Sequence, residues 1–377
     1  MTSQRALLYA LALRDATSSG VLDTLEARLE SMQEFLPGSF GLCFYRGAAP
    51  DSGRYRRITF VRVRAKSREI SHLMFPLYLW RWLRAYGEEP RHVLVRYHFP
   101  SPLFGLLFRN RNFTLVSEQH TNLEANLATL RGVTGRVLPL ASKILRPTTD
   151  CVTDGKIGLT AEILKNERKN IPILVVGNGV DEDHRSTSYY RSFEGDTLSV
   201  VTVISADWEW NGLERMISSM ENWAEVNPDI SFKLTIVGRK PQIPNNPRSK
   251  IAIDLLGPKE PQQISKLVGD FHFAFSSLGA WRLGLGEGCP LKSRMYIGLG
   301  IPYIAAYTDP DVDDSRSFVM RCVNSEGPIA WPSVLKFLVA LRETRGAVQQ
   351  DFSEARQDLA HVRKSKQIIT FMETLTK

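Results

Sequence analysis

Along the 377 residues of the chain, short apolar runs alternate with stretches whose apolar residues recur every three or four positions. The runs predict strands buried on both faces, and the three-to-four spacing predicts amphipathic helices. In the first half the expected strands are 6–13 (ALLYALAL), 40–45, 58–64, 92–97, 113–117, 149–153 and 172–176. Helices are expected at 20–35, 74–86, 121–131 and 158–167. The stretch 178–197 (NGVDEDHRSTSYYRSFEGDT) is polar and aperiodic and reads as a linker. Beyond it come strands at 198–204, 232–237, 251–256 and 271–275, with helices at 211–224, 261–268, 332–344 and 352–376.

Alternation of this kind gives parallel strands joined by helical crossovers. The fold class is therefore α/β, with two Rossmann-like doubly wound domains. The expected division is 1–185 and 186–351, with the C-terminal helix 352–377 returning to complete the first domain. Ligands of such folds bind beyond the carboxyl ends of the strands, in a cleft. The opening MTSQRALLYALAL supports two readings, a short signal peptide or a buried first strand. The loop and helical pattern that follow at once favour the strand.

Composition refines this picture in one respect. The formal net charge is +8 and the isoelectric point about 9.3, but the charge is uneven. Residues 1–150 hold 21 Lys and Arg against 12 Asp and Glu, whereas the remainder holds 27 against 28. An anionic partner is thus expected for the first half only. No recognised nucleic-acid motif accompanies the basic half, so an anionic membrane or an acidic glycan suits it better. Cys43, Cys151, Cys289 and Cys322 form no CxxC pair or Cys/His cluster. That spacing predicts no metal site and a reducing, cytoplasmic setting.

The most informative stretch is 276–306, SSLGAWRLGLGEGCPLKSRMYIGLGIPYIAA. A loop that leaves a strand and opens a helix binds anions, because the first-turn N–H groups are free and the helix dipole favours negative charge. Gly279, Gly284, Gly286 and Gly288 permit close backbone approach, and Lys292 adds a full charge in the first turn. A charge pair at 4 Å is worth about 4 kcal/mol at an effective dielectric of about 20, against at most about 2 for the dipole. Lys292 is therefore the stronger phosphate handle, and the backbone supplies position. Read blandly, Lys292 is a solvated helix-start lysine and the glycines only make turns.

EGCPLKSRMYIGLGIPYIAA (287–306) resembles the donor-binding segment of GT-B glycosyltransferases of family four, whose bacterial polysaccharide-assembly members often read E-x-x-P-L-K-x-R-E-Y-x-x-x-G-x-P. Other segments match in the same order: SSGV (18–21), SEQH (117–120), ILVVGNGVD (173–181), ISADWEWNGLERMI (204–217), LTIVG with Arg239, and IDLLGP (253–258). The resemblance implies a nucleotide-sugar donor held between the two domains, and transfer with retention of anomeric configuration. It implies no metal and no cofactor. Glu287 would contact the sugar hydroxyls, and the backbone of Gly288, Cys289, Pro290 and Leu291 would line sugar and phosphates. Lys292 would bind the diphosphate, and His120 would reach towards the sugar. Ser19 and Gly20 would form the first glycine loop, and Gly238 and Arg239 would lie at the nucleotide.

Three positions depart from the family. Met295 stands where a second glutamate holds the ribose, and Ser205 and Asn211 replace an Arg and a Lys at the diphosphate. The leaving-group charge is then expected on Lys292 with Arg239 or Arg282. The resemblance implies a glycan or lipid-linked acceptor in bacterial surface polysaccharide assembly. The alternative is a GT-B-like protein without catalysis that serves as a glycan-binding or partner subunit. Residues 74–87 and 99–111 mix large apolar side chains with arginine and read either as a face for an anionic membrane or as core helices. Asp207 and Glu209 read as solvated loop acids rather than as a catalytic pair.

Overall fold

A computed structural model describes the chain except for residues 1–5, 14–18, 51–52, 65–67, 88–89, 97–98, 124–126, 128–132, 166, 168–169, 182–188, 206–208, 239–250 and 377. Two compact units result: Met1–Gly177 with His361–Lys377, and Asn178–Ala360.

The first unit is a seven-stranded parallel sheet of order β3-β2-β1-β4-β5-β6-β7. Its strands are β1 Leu7–Leu13, β2 Phe40–Tyr45, β3 Ile58–Arg62, β4 His92–Arg96, β5 Thr114–Gln119, β6 Gly155–Gly158 and β7 Ile173–Val175. The ALLYALAL run is thus a strand, paired on both sides and buried on both faces. On one face, Leu22, Leu25 and Leu29 of helix Ser19–Met32 pack with Ile368, Ile369 and Met372 of helix His361–Thr374. On the other, Phe75, Leu79 and Leu83 of helix Arg68–Tyr86 pack with Phe104 and Phe108. The large apolar residues of 74–87 and 99–111 that enter the core therefore do so by covering the sheet.

The expected strand at 149–153 is not one. Thr149 and Asp150 end helix Val133–Asp150, and the strand comes later, at GKIG. A reading by apolar runs misses it because one of its two inner residues is Lys156, buried between Asp150 (2.6 Å) and Glu167. The helix expected at 121–131 falls largely outside the described residues.

The second unit is a six-stranded parallel sheet of order β10-β9-β8-β11-β12-β13. Its strands are β8 Thr197–Ile204, β9 Ser231–Gly238, β10 Ile251–Gly257, β11 Phe273–Phe275, β12 Tyr303–Ala305 and β13 Val319–Arg321. The expected linker is anchored where it is described. Asn178 and Val180 are buried, Val180 N–H donates to Leu359, and Tyr190 Oη donates to the Leu341 carbonyl at 3.0 Å. The helical pattern at 352–376 breaks at Leu359 and Ala360, giving helices Arg345–Asp358 and His361–Thr374. Among the described residues no helix is long and apolar enough to cross a membrane.

Candidate functional site

Because β8, β11 and β12 run parallel, the loops leaving them emerge at one end of the second sheet. Two of these loops cross with almost no space between them. Gly212, at φ +68°, caps helix Leu213–Val226, and a Cβ there would lie 2.8 Å from the backbone carbon of Leu278. Gly279 N–H donates to Trp210 at 3.0 Å and Leu278 N–H to Asn211 at 3.1 Å. A side chain at Gly212 would push the loops apart, so this crossing sets Asn211 beside the loop that carries the glycines.

Helix Leu291–Leu299 opens at Pro290, which fixes the backbone but offers no side-chain cap. It closes at Gly300, at φ +73°, where Ile301 N–H donates back to Tyr296 at 2.9 Å. Tyr296 seats the helix on the sheet: its Oη donates to Phe275 and accepts from Val203 N–H, at 3.1 and 3.0 Å. One turn earlier on the same face is Lys292. Its Nζ donates to Asn211 Oδ1 at 2.7 Å. Asn211, expected from the resemblance to stand in place of a lysine, thus holds Lys292. Glu287 is strapped by backbone bonds on either side, Gly288 N–H to Thr308 at 2.9 Å and Thr308 N–H to Gly286 at 2.8 Å. Tyr307 packs against Gly288, where a Cβ would stand 3.0 Å from its ring.

Behind this loop lies an ion cluster. Arg294 donates to Asp309 at 2.7 and 2.9 Å, to Asp311 at 3.1 Å, to the Asn178 carbonyl at 2.8 Å and to Cys289 Sγ at 2.8 Å. Asn178 also donates through its amide to the Cys289 carbonyl, at 2.6 Å. Burial pushes the Cys289 thiol up to about 12, so it is a neutral packing group. Among the described residues Cys289, Asp309 and Asp311 are close enough together to share a metal ion, but the Arg294 guanidinium already binds all three. The sequence reading passed over Asn178 and Arg294. The arginine was visible in the motif, but its acidic partners lie 15 and 17 positions on.

Other expected residues have different surroundings. Met295 packs against the hydrophobic core of this unit; its thioether is at best a weak acceptor for a ribose. Arg282 is committed to Glu214 at 3.2 Å, Glu326 at 3.1 Å and the Glu209 carbonyl at 3.1 Å. Expected as a second phosphate cation, it has its charge spent on these acids. Gly238 ends β9 at φ +115°, where a Cβ would strike the Ile204 carbonyl oxygen, so backbone packing alone requires glycine. Arg239 and Asp207 lie outside the described residues.

In the first unit, His120 follows β5 immediately. The buried Glu118 accepts from Tyr9 Oη and from Arg28 of helix Ser19–Met32, and stands 3.0 Å from His120 Nε2. Burial disfavours the Glu118 carboxylate, but Arg28 and His120 outweigh it and hold its pKa well below the ordinary value. Burial, with Arg96 adding to it, pulls the His120 imidazole down to about 4 against the opposing pull of Glu118. His120 is therefore neutral near pH 7. Ser19 and Gly20 open helix Ser19–Met32, and a Cβ on Gly20 would meet nothing within 4 Å. The structure thus gathers Glu287 to Lys292 with Asn211 in one unit, and His120, Ser19 and Gly20 in the other.

Burial pulls the Lys292 ammonium down to about 7, which sets a pH dependence. An anion at Nζ favours the protonated amine, and that form is lost as pH rises past about 7. The affinity for a nucleoside diphosphate is expected to fall between pH 7 and 9, by up to about tenfold per unit. Isothermal calorimetry checks this, with net proton uptake on binding above pH 7. A flat profile would mean that Lys292 does not carry the anion.

No protein-family model matches the chain, and no curated protein matches it. Solved structures do. Sucrose-phosphate synthase from Thermosynechococcus elongatus superposes with a TM-score of 0.67 at 12% identity, covering 98% of this chain and 99% of its own. The N-terminal domain of Candida albicans trehalose-6-phosphate phosphatase gives 0.67 at 9%, with 100% and 97% covered. WaaG, a glycosyltransferase involved in lipopolysaccharide biosynthesis, gives 0.61 at 12%, with 96% and 99% covered. The two parallel sheets with flanking helices are the GT-B architecture, and that architecture is the fold of this chain.

Proposed function

We propose that the chain is a retaining glycosyltransferase that moves a sugar from a nucleotide-sugar donor to a glycan or lipid-linked acceptor in bacterial surface polysaccharide assembly. One observation carries this reading: Lys292, held by Asn211, stands in the first turn of a helix that no side chain caps. A departing diphosphate needs N–H donors and a cation where its charge develops, and this helix start offers both. Glu287, strapped between Gly286 and Gly288, takes the sugar hydroxyls, and no metal is required. That WaaG acts in lipopolysaccharide biosynthesis agrees with a surface-glycan role.

A second reading has its own support. Met295 packs against the core of its unit and Arg282 is paired with Glu214 and Glu326, which supports a site with fewer nucleotide contacts than the resemblance implies. A GT-B-like partner subunit without catalysis would tolerate both. Thermal shift against a panel of nucleoside diphosphates and nucleotide sugars separates the two. A donor at a hundredfold excess over its Kd should add about 2.7 kcal/mol, a Tm rise of roughly 5–10 °C for a unit of this size. No shift with any nucleotide would leave the non-catalytic reading standing.

A further inference from the structure

Helix Val133–Asp150 carries an apolar stripe that the fold leaves open. Val137, Leu140 and Ile144 are 53%, 60% and 66% exposed, and their spacing puts them on one face. Ser142 and Thr149, on the opposite face, are buried. The exposed face also carries Arg136 and Lys143, seven positions apart and both exposed, while Asp150, the helix's only acid, is buried. Beside it, helix Pro102–Leu107 crosses with its backbone close in. A Cβ on Gly105 would stand 2.8 Å from the Thr148 carbonyl oxygen, and the neighbouring Leu106 is 76% exposed. Scattered exposed leucines need no explanation, but an aligned apolar row beside two exposed cations, with no exposed acid on this helix, does.

We infer that this helix face is the membrane-docking surface of the first unit, and that its partner is the surface of an anionic bilayer. The apolar row enters the boundary between headgroups and acyl chains, and Arg136 and Lys143 remain at the level of the lipid phosphates. Charge complementarity selects this occupant. A purely apolar partner would leave two cations desolvated at the rim, and the half that carries the helix is the basic one. The segments whose composition first suggests a membrane, 74–87 and 99–111, place Phe75, Leu79, Leu83, Phe104 and Phe108 in the core instead. The inference does not depend on the donor site and holds for either reading of function.

The test is co-sedimentation of the full chain with phosphatidylcholine vesicles, with and without phosphatidylglycerol. Binding is expected only when the anionic lipid is present, and it should weaken with salt. Leu140→Glu with Ile144→Glu should lower partitioning more than about a hundredfold, and Arg136→Ser with Lys143→Ser about thirtyfold. Both pairs are exposed, so Tm and any nucleotide-induced shift should be unchanged, which separates failure here from failure of the donor site. Three results overturn the proposal: no binding to anionic vesicles, equal binding by the Leu140/Ile144 variant, or a wild-type dimer that this variant dissolves while vesicles go unbound. The last would make the face a contact between copies of the chain.

Discussion

Lys292→Ala is expected to lose nucleoside diphosphate binding by at least about a hundredfold, with the fold intact. Near 4 Å and at an effective dielectric of about 20, the ammonium is worth about 4 kcal/mol to a phosphate charge. Its partial exposure reduces that figure, but a loss of about 2.7 kcal/mol already amounts to two orders of magnitude. Folding should survive because, among the described residues, the hydrogen bond lost is that to Asn211, a neutral acceptor. Glu287→Ala should behave in the opposite way. It should bind the diphosphate within about twofold of wild type and lose turnover by a factor of about a hundred or more, the scale of removing one aligned polar group from a transition state. Calorimetry with the diphosphate and single-turnover transfer measure the two effects. Equal diphosphate affinity in wild type and Lys292→Ala would remove the basis of the donor assignment.

Arg294→Ala is expected to produce the largest stability loss of any single substitution near the site. It leaves Asp309 and Asp311 facing each other without the Arg294 cation, takes away the Asn178 carbonyl's guanidinium donor, and leaves Cys289 Sγ with the Asn178 N–H at 3.0 Å in place of two donors. Removing one partner of a buried pair costs about 3–5 kcal/mol. For a unit of about 150–250 residues that corresponds to a Tm fall of roughly 6–20 °C. Adding Asp309→Asn should recover part of the loss, because the orphaned charge is then gone, and this non-additivity is the signature of direct coupling. Differential scanning calorimetry reads both. A Tm change below about 2 °C would mean that the cluster does not hold the loop.

The apolar strands were legible in the sequence because burial on both faces leaves them no polar alternation. SVVTVI reads as a strand by itself, and LLYALAL does once the loop and helical pattern that follow it are weighed against a signal peptide. What stayed hidden rests on contacts between residues far apart in the chain. β6 reads GKIG, and only Asp150 and Glu167 make its lysine acceptable inside a sheet. Helix Val133–Asp150 contains Pro139 and Pro147, which break the pattern that announces helices. At the site, the motif around Lys292 was readable, but its Asn211 partner is 81 positions away. Arg282 looked available for phosphate because Glu214 and Glu326, 68 and 44 positions distant, gave no local sign of claiming it.

The return of His361–Thr374 to the first unit has a consequence for biogenesis. The ribosome completes Asn178–Ala360, every strand of the second sheet included, before it releases the residues that finish the earlier unit. Until then Leu22, Leu25 and Leu29 lack the cover of Ile368, Ile369 and Met372, and Ser31 lacks its hydroxyl partner Ser365. The half made first is therefore sealed last. A nascent chain stalled after helix Ser19–Met32 has emerged but short of residue 361 presents an open leucine ridge to chaperones and to other chains.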